Sequence, residues 1–143
     1  GMPIGAFVAK RDIMMHLAKN PALGHITTFG GHPVSVAAAL ATLKVLISEN
    51  IVNEVAVKEI QLKELLQHSQ ISEIRSSGLM MGVQLKDSSL LTPLIDIVIY
   101  KGVLIDYFLF NNASFRIAPP LIITDLEIRR GVDIILSSLD ELT

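Results

Sequence analysis

The sequence predicts an α+β fold, with helices packed on one face of a small, mostly antiparallel sheet. Three observations predict it. From residue 51 onward the apolar periodicity reads helix, strand, strand, helix, strand, strand, helix, the order of a two-layer domain. A capping-box signature, Thr124 with Glu127 three residues on, opens a last helix whose apolar residues step by four and three. Half of the 143 residues are hydrophobic and only 18% are charged, enough for a packed core and too apolar for disorder.

Each element has its own signal. Up to Pro33 the chain is glycine- and proline-rich and reads as loop, apart from a short buried strand at Gly5–Ala9 and a short helix at Arg11–Lys19 that ends before Asn20-Pro21. Pro33, with its fixed φ, suits the first turn of a helix running to about Glu49, with Val36, Leu40, Leu43 and Ile47 on one stripe and Ala37, Ala38 and Ala41 on a flatter second face. Ile51 to His68 reads as a surface helix. Ile71–Arg75 and Leu79–Lys86 alternate around Ser76-Ser77-Gly78, as a hairpin does. Ser89–Lys101 is helical, with Pro93 in its first turn and Gly102 at its end. Val103–Ile105 and Ser114–Ala118 are expected as strands, the second stopped by Pro119-Pro120. In the final helix Ile128, Val132, Ile135, Leu139 and Leu142 face the core.

The apolar excess has no membrane explanation, because no run approaches the roughly 20 consecutive apolar residues of a span. A soluble cytoplasmic protein is expected, without a signal peptide. Zero cysteines exclude disulfides, thiolate catalysis and Cys-based metal sites. The net charge of −2 without a basic cluster gives nucleic-acid binding no electrostatic support. The surplus apolar surface is therefore expected to meet a partner chain or a missing domain.

Two places can carry chemistry. Thr27-Thr28-Phe29-Gly30-Gly31 stands directly before the helix at Pro33, where free amides and the positive end of the helix dipole suit a phosphate; the alternative is a glycine turn with a threonine cap. Arg116 alternates with Phe115 and Ile117, so its guanidinium leaves an apolar strand and requires a carboxylate, either the protein's own or a ligand's. His25 and His32 flank the threonine loop without an acidic neighbour that would make a metal site. His16, His68 and Arg75 read as solvated side chains near element ends, and Tyr107, Phe108 and Phe110 as one aromatic loop that plugs a core or an interface.

Four ordered motifs then carry a resemblance. Met2-Pro-Ile-Gly-Ala-Phe7, Thr27-Thr-Phe-Gly-Gly-His-Pro33, Gly78-Leu-Met-Met-Gly82 and Phe115-Arg-Ile-Ala-Pro-Pro-Leu121 resemble, in order and spacing, the class III pyridoxal-phosphate aminotransferases, a family that includes acetylornithine, ornithine and 4-aminobutyrate aminotransferases. The resemblance covers essentially the whole chain. It implies the C-terminal part of a fold type I enzyme, with residues 1–49 as the end of the large cofactor-binding domain plus an interdomain helix, and residues 50–143 as the small domain. By position it implies that Thr28 reaches the pyridoxal phosphate of a neighbouring subunit in a dimer and that Arg116 binds the substrate α-carboxylate, the substrates being amino acids and 2-oxo acids. His32 departs from the asparagine usual before that proline. None of Lys10, Lys19, Lys44, Lys58, Lys63, Lys86 and Lys101 matches the family's Schiff-base lysine, which lies upstream of the segment matching Met2 to Ala6. The expectation is therefore a truncated chain, inactive as it stands. A self-associating module without catalysis and an aminomutase of the glutamate-semialdehyde type are the other functions considered.

Overall fold

The computed structural model describes residues 2–22 and 24–143, and the chain divides into two compact units, Gly1–Asn50 and Ile51–Thr143.

In the second unit, strict alternation builds the sheet. β1 (Ile71–Ser77) and β2 (Met80–Leu85) form the expected hairpin, closed at Gly78, whose φ of +59° favours glycine. β4 (Asn111–Ile117) pairs antiparallel with β2, and β3 (Asp106–Phe108) with β4, so the order is β1-β2-β4-β3. Met81, Val83 and Leu85 of β2 and Phe115 and Ile117 of β4 all point to one face and are buried. Three helices cover that face: α3 (Ile51–Leu65), α4 (Leu91–Tyr100) and α5 (Asp125–Asp140). Leu62, Leu66, Leu94, Val98, Ile128, Val132, Ile135 and Leu139 complete a single core with the strand residues. The α+β class read from the sequence is thus the fold observed.

Local chemistry sets the helix ends. Both halves of the capping box form: the Glu127 amide donates to Thr124 Oγ1 at 3.3 Å, and the Thr124 amide donates to Glu127 Oε2 at 2.8 Å. These bonds, the backbone amide first and the Thr124 hydroxyl second, hold the Glu127 carboxyl below its ordinary pKa. Asp87 accepts the Ser89 amide at 2.8 Å and starts a 3-10 turn, Ser88–Leu90, that leads into α4. Gly102, at φ +92°, ends it.

Two expectations are corrected. The strand expected at Val103–Ile105 lies three residues later, at Asp106–Phe108: Ile105 is buried, but it is Asp106 and Tyr107 that pair with Arg116 and Phe115. Part of the aromatic segment expected as loop is therefore strand. In the first unit Gly5–Ala9 is neither a strand nor buried; it has no ladder partner among the described residues, and an extended segment without one has nothing to fix it.

The first unit otherwise consists of a short helix, α1 (Arg11–Met14), continued by a 3-10 turn over Met15–Ala18, then a loop and the long helix α2 (Pro33–Ser48). None of its described residues is buried. Leu40 and Leu43 are more than half exposed, as are Phe7 and Phe29. No single helix among the described residues is long and apolar enough to cross a membrane.

Candidate functional site

Thr28 and Arg116 fall in different units, and each has its own surroundings.

Around Thr28, the chain turns tightly. The Gly30 amide donates to the Thr27 carbonyl at 3.3 Å and the His32 amide to the Phe29 carbonyl at 3.2 Å. Gly31 adopts φ +74°, and a Cβ on Gly30 would lie 2.6 Å from Thr27 Oγ1, forcing that hydroxyl aside. The threonine cap weighed from sequence does not form: the N-cap of α2 is His32, whose side chain makes no capping bond, with its carbonyl accepting from the Val36 amide at 2.9 Å. The threonine hydroxyls thus remain beside a helix start whose amides at Val34 and Ser35 precede the first intrahelical bond. Thr27, Thr28, Gly30, Gly31, His32 and Ser35, with Pro3 to Gly5, line a concavity of about 420 Å³ that contains no acidic side chain. Hydroxyls, helix-start amides and a glycine whose Cβ would crowd the loop make a donor set that fits a phosphate. Ser35 also joins this lining, a position that a serine inside an apolar helical run does not reveal from sequence.

Around Arg116, register decides. Arg75, Gly82, Arg116 and Asp106 form one row across the four strands, on the face opposite the core. Arg116 Nη2 donates to Asp106 Oδ2 at 2.6 Å; the two side chains are 40% and 53% exposed. Asp106 Oδ1 accepts its neighbour's amide, from Tyr107, at 2.8 Å. Gly82 leaves room for Phe108, whose ring would touch a Cβ there at 3.3 Å. Farther along this face Gln84 Oε1 accepts from Ser114 Oγ at 2.7 Å, Asn111 Nδ2 at 3.1 Å and Arg75 Nη2 at 3.3 Å. Arg75 also donates to Glu73 at 2.8 Å. Both carboxylate sources considered for Arg116 remain relevant: one guanidinium nitrogen holds a protein carboxylate, and the side chain is still open to solvent.

The other candidates are structural or exposed. His68 Nδ1 accepts the Gln70 amide at 3.1 Å, which leaves Nε2 to donate to Asp140 Oδ1 at 3.1 Å. His16, His25 and His32 are exposed. Of the aromatic cluster, Phe108 packs on Gly82, whereas Phe110 is almost wholly exposed. No group of three or more potential metal ligands occurs among the described residues. Glu59 is a further perturbed carboxyl: the Ser76 hydroxyl first, then Lys63 Nζ and the Gly78 amide, hold it below the ordinary range while it ties α3 to the β1–β2 turn.

Comparison with known proteins identifies the family. The family model for class III aminotransferases matches residues 1–139, and the chain belongs to that family. Putrescine aminotransferase of Pectobacterium atrosepticum is 36% identical over 129 residues, covering 86% of this chain and 27% of the relative. Acetylornithine aminotransferase of Haemophilus ducreyi is 36% identical over 143 residues, covering 99% of this chain and 35% of the relative. Among solved structures, a Bacillus anthracis aminotransferase superposes with a TM-score of 0.77 at 26% identity, over 92% of this chain and 34% of its own. Ornithine aminotransferase of Toxoplasma gondii gives 0.73 at 29% identity, over 91% and 31%. The chain thus spans about a third of the length of the relatives it matches.

Proposed function

We propose that these residues supply two binding elements of a class III aminotransferase site, one for the cofactor phosphate and one for a substrate carboxylate. Residues 1–49 would belong to the end of the cofactor domain and residues 50–143 to the small domain. Pyridoxal phosphate, when bound, supplies the electron sink for amino-group transfer between an amino acid or amine and a 2-oxo acid. Thr28, with the Ser35 hydroxyl and the amides that open α2, would hold its phosphate. Arg116 would bind and orient the substrate carboxylate from the open face of the sheet, through guanidinium donors directed away from the core. The observation that carries this reading is the acid-free phosphate cradle ahead of α2, in a chain that matches the family over residues 1–139.

Proton transfer at the substrate requires the cofactor-bearing lysine, and no lysine of these 143 residues stands in the family's position for it. The 143-residue chain on its own is therefore inactive. Incubated with pyridoxal phosphate and reduced with borohydride, it should yield no stoichiometric adduct on a unique lysine and no transamination. A single labelled lysine together with turnover contradicts the reading.

The exposure of the first unit favours a second property, self-association. A chain with Val36, Leu40, Leu43 and Ile47 of α2 exposed gains by covering that stripe with a second copy, which is also what a site shared between subunits requires.

A further inference from the structure

Asp106 stands directly across from Arg116, in the register where side chains of neighbouring strands approach closely. Its carboxylate is held at both oxygens, Oδ1 by the Tyr107 amide at 2.8 Å and Oδ2 by Arg116 Nη2 at 2.6 Å. The backbone bond fixes the aspartate, so the mobile partner of the pair is the arginine. We propose that Asp106 is an internal competitor for Arg116, a positioning residue that weakens the guanidinium's hold on an incoming carboxylate and thereby sets how strongly this site selects carboxylate-bearing substrates. The proposal rests on the assignment of Arg116 to substrate carboxylate binding.

Three observations carry it. The ion pair is monodentate and about half exposed, the kind whose net strength is small, so a ligand carboxylate can share or displace it. The negative charge of Asp106 cancels that of Arg116 locally, so an approaching anion meets little net attraction. The other guanidinium of the row, Arg75, is already engaged with Glu73 and Gln84 two strands away, and Phe108 lies over Gly82 between them, so no second cation makes good the loss.

The test is a titration of the 143-residue chain with pyruvate, followed by the amide chemical shifts of residues 106 and 116, in the wild type, Asp106→Asn, Arg116→Gln and the double variant. Asp106→Asn keeps the shape and the Tyr107 hydrogen bond and removes the charge. Its dissociation constant should fall about three- to tenfold, with the gain shrinking as salt is added. Both variants carrying Arg116→Gln should bind at least tenfold more weakly than the wild type. Asp106→Asn binding no tighter than the wild type, with Arg116→Gln still impaired, overturns the competitor and leaves the Arg116 assignment standing. Equal binding by wild type and Arg116→Gln, or no binding by any form, removes both. Thermal melting is read in parallel: a purely structural Asp106 would lower the melting temperature on substitution without tightening pyruvate.

Discussion

At the scale of single residues, the open face of the sheet depends on Gln84. Its one carbonyl oxygen satisfies the hydroxyl of Ser114, which is fully buried, as well as Asn111 and Arg75. Replacing it with leucine leaves a buried donor without an acceptor, and a loss of about 1 to 3 kcal/mol is expected in urea unfolding. A change within experimental error would mean that water substitutes for the amide. Phe115, on the core side of the same strand, is wholly buried, and Phe115→Ala should cost about 3 to 5 kcal/mol in the same measurement. The chemistry of Arg116 was legible from its alternation with Phe115 and Ile117, but its partner was not. Asp106 is ten residues away, and only the pairing of β3 with β4, with a register irregularity between Tyr107 and Phe108, brings the two together.

Among the elements, α5 is the clearest case of sequence dictating structure. Its capping box forms, and Ile128, Val132, Ile135 and Leu139 of its expected stripe are buried within it, whereas Leu142 lies past its last residue, Asp140. Thr124→Ala should lower stability by about 0.5 to 2 kcal/mol. The effect carries a pH signature. Glu127 has a lower pKa folded than unfolded, so its contribution is present above the unfolded value of about 4.3 and disappears as pH falls toward the folded one. The gap between the wild type and Thr124→Ala should therefore narrow without closing as the carboxyl protonates, because the hydroxyl's bond to the carboxylate weakens while the Glu127 amide's bond to Thr124 Oγ1 does not titrate; a constant gap would show that the hydroxyl–carboxylate bond contributes nothing. Gly131 lies inside this helix with open space where a Cβ would go, and Gly131→Ala should raise stability by about 0.5 to 1 kcal/mol. The elements misread from sequence were the short ones. A three-residue strand such as β3 is too brief to show a period, and Gly5–Ala9 has the apolar look of a strand but lacks a neighbour to pair with.

For the whole molecule, the two units differ in kind. The second has a continuous core of its own, whereas the first leaves its phenylalanines and the apolar stripe of α2 exposed. Exposed apolar residues occur in both units, but only the first has none of its described residues buried, which is what the proposed self-association through it would cover. Sedimentation of the chain at micromolar concentration should accordingly show a dimer or larger species, and a clean monomer would count against association through the first unit. The motif order made the family legible, because four short peptides in fixed order and spacing are far more specific than any one of them. Ser35 and Asp106 escaped notice because a serine in a helix and an aspartate in a strand have no signature until the fold aligns them with Thr28 and Arg116.

The central claim, that this chain carries the phosphate-binding element of an aminotransferase site, is tested most directly by comparing pyridoxal phosphate with pyridoxal by equilibrium dialysis, on the wild type and on Thr28→Val. Binding that depends on the phosphate and falls at least fivefold in Thr28→Val is the predicted result. Equal retention of the two compounds, or retention indifferent to Thr28, would contradict it.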